Sequence, residues 1–154
     1  MSVTIRKARP ADLPKIKACV QDTIDDTYGG LWMDPPLPLP DYDWASALIA
    51  VDDSRVFGVA TTGVDRVENL WVHPEAQGQG IGSRLLSEVE REIAARGHDR
   101  AWLRVVASNT RAIKVYEIRG WQRFQRGDHE ALGIAMIYLE KCRLSPHPVG
   151  RSSA

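Results

Sequence analysis

The chain has 154 residues, with 20 basic and 20 acidic side chains and hence a formal charge of zero; 44% of it is hydrophobic and 26% charged. These values describe one globular domain long enough to bury a core, and they exclude a chain that holds nucleic acid through bulk positive charge. Apolar stretches are too short for a membrane span, Met1–Lys7 lacks the apolar region of a secretory signal, and Cys19 and Cys142 lie too far apart for a C-x-x-C pair, so the expected compartment is a reducing cytoplasm.

In chain order, Val3–Ala8 alternates as a first strand. Pro10 and Asp12 open a helix that sets Leu13, Ile16, Val20 and Ile24 on one face. From Tyr28 to Pro40 the prolines at 35, 36, 38 and 40 exclude a regular helix, and Leu31, Trp32 and Met33 make this a loop that covers something. A short helix is expected around Tyr42 to Ala45. Strands follow at Ala47–Val51 and Val56–Thr62, joined by Asp52, Asp53 and Ser54; Gly63–Arg66 then turns into Val67–Val72.

Beyond a glycine-rich loop, Ile81, Leu85, Leu86, Val89 and Ile93 line a helix that ends at Gly97. Ala101–Val106 is a strand, a helix carrying Tyr116 comes next, and strands near Gln122–Gln125 and Leu132–Leu139 close the order. This predicts a mixed α/β sheet over residues 1–143, with a frayed tail over 144–154. The chain has no internal repeats. The four histidines, His73, His98, His129 and His147, show no metal-ligand spacing, so no metal is expected.

The stretch from Val72 to Ser83 carries the chemistry. A strand feeds His73-Pro74, then a loop with Gly78, Gly80 and Gly82, then a helix start. Such a junction turns backbone N–H groups inward, leaves no Cβ in the way and adds the helix dipole, which together suit a phosphate. The letters exclude a Walker loop, because Gly82 precedes Ser83 and Arg84 with no lysine, and they exclude G-x-G-x-x-G, because the sixth position is Ser83. A second segment, Ser108 to Trp121, is built for a helix: Ser108 or Asn109 caps it, Ala112 and Tyr116 stack at i, i+4, and Gly120 supplies a left-handed exit.

Gln77-x-x-Gly80-x-Gly82 resembles the (Arg/Gln)-x-x-Gly-x-(Gly/Ala) pyrophosphate loop of the GCN5-related N-acetyltransferases, the GNAT superfamily. Asn109, Ala112, Tyr116, Glu117 and Gly120 match its later motif, with Trp121 in place of the usual phenylalanine. The two motifs cover most of residues 67 to 121, and weaker likeness extends to both sides. The resemblance implies the GNAT fold: a mixed central sheet flanked by helices, with the strand before the loop and the strand after its helix splayed around a pantetheine arm. It implies an acetyl-CoA-dependent N-acetyltransferase, without metal, acting by direct attack in a ternary complex.

Acetyl transfer to an amine needs a base for the amine, donors for the oxyanion and a proton for the departing thiolate. A free thiol titrates near about 8.5 and a tyrosine near about 10, so a tyrosine can protonate the leaving sulfur. The resemblance gives Tyr116 that task and makes Glu68, on the strand before the loop, the candidate base. It assigns the oxyanion to backbone N–H groups around Leu70, Trp71 and Val72. The pyrophosphate falls to the amides of Gln77, Gly78, Gln79, Gly80, Ile81, Gly82 and Ser83. Asn109 would bond the pantetheine arm and Ala112 leave room for it, while His73 reads as a turn residue and His129 and Glu130 as part of the last hairpin.

Between Lys17 and Arg55 the chain has no Lys, Arg or His, yet it has eight aspartates. In the resembling fold this region walls the acceptor cleft, so Tyr28, Trp32 and Trp44, with Tyr42, are expected to face a small cationic amine. A protein or peptide N-terminal or lysine acceptor is the alternative, followed by a non-catalytic acyl-CoA-binding module on the same fold. A transferase acting on aminoacyl-tRNA is disfavoured by the acidic block. The implied partners are a small-molecule or peptide amine, with no nucleic acid and no membrane; a homodimer is compatible.

Overall fold

The computed structural model describes residues 2–28, 42–130 and 132–145. Every strand and helix read from the periodicity forms: β1 (Thr4–Lys7), α1 (Leu13–Tyr28), β2 (Leu48–Asp52), β3 (Arg55–Thr62), β4 (Val67–Val72), α2 (Ile81–Ala95), β5 (Arg100–Val106), α3 (Thr110–Ile118), β6 (Gln122–Asp128) and β7 (Ala135–Cys142). The short helix expected at Tyr42–Ala45 is one 3-10 turn, Trp44–Ser46, in which Ser46 Oγ donates to Asp43 Oδ2 at 2.6 Å. Tyr28, read as a loop residue, is the last residue of α1. The rest of that loop, Trp32 included, lies outside the described residues, as does the end of the tail. The last strand begins at Ala135 rather than Leu132, because Gly133 takes φ 67° and donates to His129 O at 2.8 Å, closing a turn.

The chain divides into two compact units, Met1–Thr62 with Glu68–Val89 and Gly63–Val67 with Glu90–Ala154. The first holds a sheet in the order β1-β2-β3-β4, with β1–β2 and β2–β3 antiparallel. Asp53 reaches φ 51° in the turn between Asp52 and Arg55, a conformation that aspartate tolerates better than most side chains. The apolar face of α1 (Ile16, Cys19, Val20, Ile24) packs with Ile49, Val56 and Val59 into one core. Burial pushes the Cys19 thiol up to about 12, so it behaves as a small hydrophobe. Asp12 accepts from Arg6 Nη1 at 2.8 Å and from Arg9 N at 2.7 Å, fixing the chain at the entry to α1. At Gly58 of β3, Leu85 Cδ1 of α2 would stand 2.7 Å from a Cβ, so the helix rests directly on the strand backbone.

The second unit holds β5-β7-β6, antiparallel throughout. Ala101, Leu103 and Val105 of β5 are buried, while Arg100, Trp102 and Arg104 alternate onto the other face, where Trp102 stacks on Tyr138 at 6.1 Å. The edge strand β6 is exposed along nearly its whole length and carries a bulge between Arg123 and Gln125. The α/β fold expected from the resemblance is present, but its sheet is written in two ladders, and among the described residues the parallel component is the single bridge Arg66↔Trp102. Trp102 secures that bridge by donating from its backbone N to Asp65 O and from Nε1 to Asp65 Oδ1, each at 3.1 Å.

Candidate active site

In the first unit the end of β4 is locked before the glycine loop begins. His73 N donates to Phe57 O at 2.8 Å, and Pro74 starts a 3-10 turn, Pro74–Ala76, with a φ it already holds. His73 Nδ1 accepts from Glu75 N at 3.2 Å, which puts the neutral ring's proton on Nε2, 3.1 Å from Asp22 Oδ2. This agrees with the turn role read for His73. The carboxylate of Glu75, two residues before Gln77, is paired with Arg55 at 2.6 Å. The Gln77 side chain folds back, Nε2 donating to Val72 O at 3.1 Å, and so ties the loop to the strand.

Past Gln77 the backbone opens. Gly78 and Gly80 sit at φ 81° and 80°, and a Cβ at either would meet no atom within 4 Å; one at Gly82 would touch Val72 Cγ2 at 3.4 Å. Arg84 N donates to Gly80 O at 3.0 Å, so the amides of Ile81, Gly82 and Ser83 precede that first helical bond at the positive end of the α2 dipole. Open left-handed backbone and helix-start amides without an intrahelical acceptor form a cradle that fits a pyrophosphate.

Along β4, Glu68, Leu70 and Val72 share one face and Val67, Asn69 and Trp71 the other. Glu68 is half-buried. Sequence reasoning missed Asn69, which is buried, donates from Nδ2 to Thr61 Oγ1 at 2.8 Å and accepts from Trp71 Nε1 at 3.0 Å. Its signal was a polar side chain at an inward position of an apolar strand. The bond holds the Trp71 ring, against which Tyr28 packs edge-on at 6.2 Å. Tyr28 is 7% exposed and Trp44 is 4% exposed, with Trp44 in the α1 core, so both rings predicted to face an acceptor are engaged in packing.

The second unit holds the other predicted residues. Asn109 Oδ1 accepts from Ala112 N at 3.2 Å and caps α3, with Ala112 half-buried one turn before Tyr116. At the far end, Trp121 N donates to Tyr116 O at 3.0 Å, Gly120 N donates to Glu117 O at 3.1 Å, and Gly120 takes φ 95°. This is a Schellman turn, whose pattern brings the side chains before and after the glycine into contact. Those side chains are Tyr116, 8% exposed, and Trp121, 1% exposed, with ring centres 6.2 Å apart. Trp121 Nε1 donates to Glu90 Oε2 at 3.1 Å, and Lys141 Nζ donates to Glu90 Oε1 at 2.8 Å, a network that nothing in the sequence signalled.

In the last hairpin, His129 Nδ1 accepts from Leu132 N at 3.2 Å, while Arg104 grips Glu130 through Nη1 and Nη2 at 2.7 and 2.9 Å and holds its carboxyl down at about 2. Among the described residues no group of His, Cys, Asp and Glu is placed to hold a metal ion, and no helix is long and apolar enough to cross a membrane.

The model of the acetyltransferase (GNAT) family matches residues 18–121. A mycothiol acetyltransferase of Streptomyces griseus subsp. griseus is 31% identical over 125 residues, 77% of this chain and 38% of that protein, so the chain spans under two fifths of this relative's length. A GCN5-related N-acetyltransferase structure from Rhodopseudomonas palustris superposes with a TM-score of 0.75 at 20% identity, over 92% of this chain and 96% of that one. The structure of yncA from Salmonella typhimurium with acetyl-CoA gives 0.72 at 21% identity, over 99% of both chains. At such identities the two structures share the fold with this chain.

Proposed function

The chain belongs to the acetyltransferase (GNAT) family, and from that premise we propose that it moves the acetyl group of acetyl-CoA to a primary amine. The observation that carries this reading is the open glycine backbone at the start of α2, where Gly78 and Gly80 hold positive φ with no neighbour to fill the space. The amides of Gln77 to Ser83 would hold the pyrophosphate, and backbone N–H groups of Leu70 to Val72 would donate to the oxyanion.

Glu68 takes one proton from the ammonium group through water and passes it to solvent, the freed nitrogen lone pair attacks the thioester carbonyl, and the C–S bond of the tetrahedral intermediate breaks. Tyr116 gives its phenolic proton to the thiolate, and the second proton, leaving the nitrogen through water, restores the phenol. Products are the acetamide and free coenzyme A. Calorimetry should record coenzyme A binding that survives a chelator; absence of binding defeats the reading, and binding without turnover on any amine reassigns the chain to a non-catalytic module. Glu68→Gln should remove the acidic limb of the rate–pH profile, and an unchanged profile places the base elsewhere.

The acceptor in this reading is a cationic amine. Its support is the run from residue 18 to 54, without a basic side chain and with eight aspartates. Some of these serve local structure: Asp22 faces His73, Asp43 holds Ser46, and Asp53 makes the β2–β3 turn. Asp25 and Asp26 lie on the exposed side of α1. Polyamines and basic peptides should be acetylated faster than acidic amino acids, with the advantage shrinking at high salt. Equal rates without a salt effect overturn the charge preference.

A further inference from the structure

A ring contact between Tyr116 and Trp121 follows from the Schellman turn, and a phenyl ring would satisfy it. An indole brings an N–H into the interior, where a donor left unpaired carries the full cost of its lost hydration. Glu90, on α2, accepts it. A carboxylate there needs its own compensation, and Lys141, on β7, supplies the charge. The same lysine's Cε stands 3.6 Å from where a Cβ on Gly120 would lie, so it also backs the turn.

The circuit Lys141–Glu90–Trp121 therefore joins three elements of the second unit at the residue that abuts Tyr116. Apolar contacts are non-directional and hold the Trp121 ring by shape alone. A hydrogen bond to a charged, anchored acceptor adds a direction, because it weakens steeply away from linearity.

We infer that Glu90 and Trp121 are positioning residues for Tyr116: the Glu90 carboxylate fixes the Trp121 ring, and that ring fixes where the Tyr116 phenol rests. This rests on the reading of Tyr116 as proton donor to the thiolate. Proton transfer demands heavy atoms within hydrogen-bond reach, and a misplacement of about 1 Å can cost about a hundredfold in rate.

The test uses Trp121→Phe, which keeps an aromatic ring and deletes the donor, Glu90→Met, which deletes the acceptor, and Glu90→Gln, which keeps an acceptor oxygen. Each is made alone and together with Tyr116→Phe, and kcat, KM for acetyl-CoA and the thermal midpoint are measured. Trp121→Phe and Glu90→Met should each lower kcat about tenfold with KM within about twofold, Glu90→Gln should recover most of the loss, and none should slow the Tyr116→Phe enzyme further. Should Glu90→Met fail to fold, Trp121→Phe carries the test. Equal fold-losses with and without Tyr116, or no loss from Trp121→Phe while Tyr116→Phe is slow, overturn the inference alone. A Tyr116→Phe enzyme as fast as the parent overturns the proton-donor reading, and the inference with it.

Discussion

A Cβ added at Gly78 or Gly80 of the first unit would find no atom within 4 Å, whereas one at Gly120 of the second would find Lys141 Cε at 3.6 Å. All three glycines have positive φ. In the loop that conformation comes with open space where a side chain would stand, which lets a ligand approach the backbone. In the turn it ends a helix and drives two rings together, which is what a fixed side chain needs. Gly58 presents a third use, at an ordinary φ, where the absent side chain lets α2 approach β3. Under the proposed function glycine serves recognition in one place and packing in the others, and substitutions should separate them.

Gly80→Val should have the largest effect on the ligand. Its positive φ costs a β-branched residue about 1–2 kcal/mol, and its side chain enters the space assigned to the pyrophosphate. Coenzyme A affinity should fall by about a hundredfold or more in calorimetry, while the thermal midpoint drops by less than about 8 °C. Retained affinity would break the contrast by making the loop a plain connection.

Tyr116→Phe should lower kcat by between about ten- and about a thousandfold with little change in coenzyme affinity, since the ring and its contact with Trp121 stay. Turnover within about twofold of the parent would reduce the Schellman turn to a packing device. Gly58→Val should behave opposite to Gly80→Val: overpacking against Leu85 and Ile81 should cost about 1–3 kcal/mol in urea unfolding. A stability equal to the parent's would show that α2 can withdraw from β3.

The smallest effect concerns Glu130, whose carboxyl Arg104 holds at about 2 instead of its ordinary 4.5. Because the folded value is the lower one, the pair's contribution is complete above about pH 4.5 and is lost as pH falls through about 2. The midpoint difference between parent and Glu130→Gln should therefore shrink across that window. A difference independent of pH would mean the glutamate acts through shape. Exposure of Glu130 keeps the effect small.

What could be read from the sequence is what is local. Gly120, Tyr116 and Trp121 lie within one helical turn and its exit, and the loop glycines fall between a strand and a helix, so spacing sufficed. The Glu90 contacts span 31 residues to Trp121 and 51 to Lys141, and Asp22 lies 51 from His73. No period reaches that far. Tyr28 and Trp44 stand among aspartates and read as faces for an acceptor; how far tertiary packing buries each ring is not local information. Leu132 and Ile134 invite a strand that Gly133 interrupts with its positive φ.

The exposed strand β6 bears on how the protein keeps to itself at high concentration. Its outer edge carries backbone groups that another chain could pair with, and Phe124, 40% exposed, would reward such an approach. Arg126 stands two residues from that ring as a charge that an apolar strand would have to bury, Arg123 is paired with Glu117 at 3.0 Å, and the bulge between Arg123 and Gln125 spoils the regular register a foreign strand would need. A strand that contributes almost nothing to the core thus carries features that disfavour pairing with another edge.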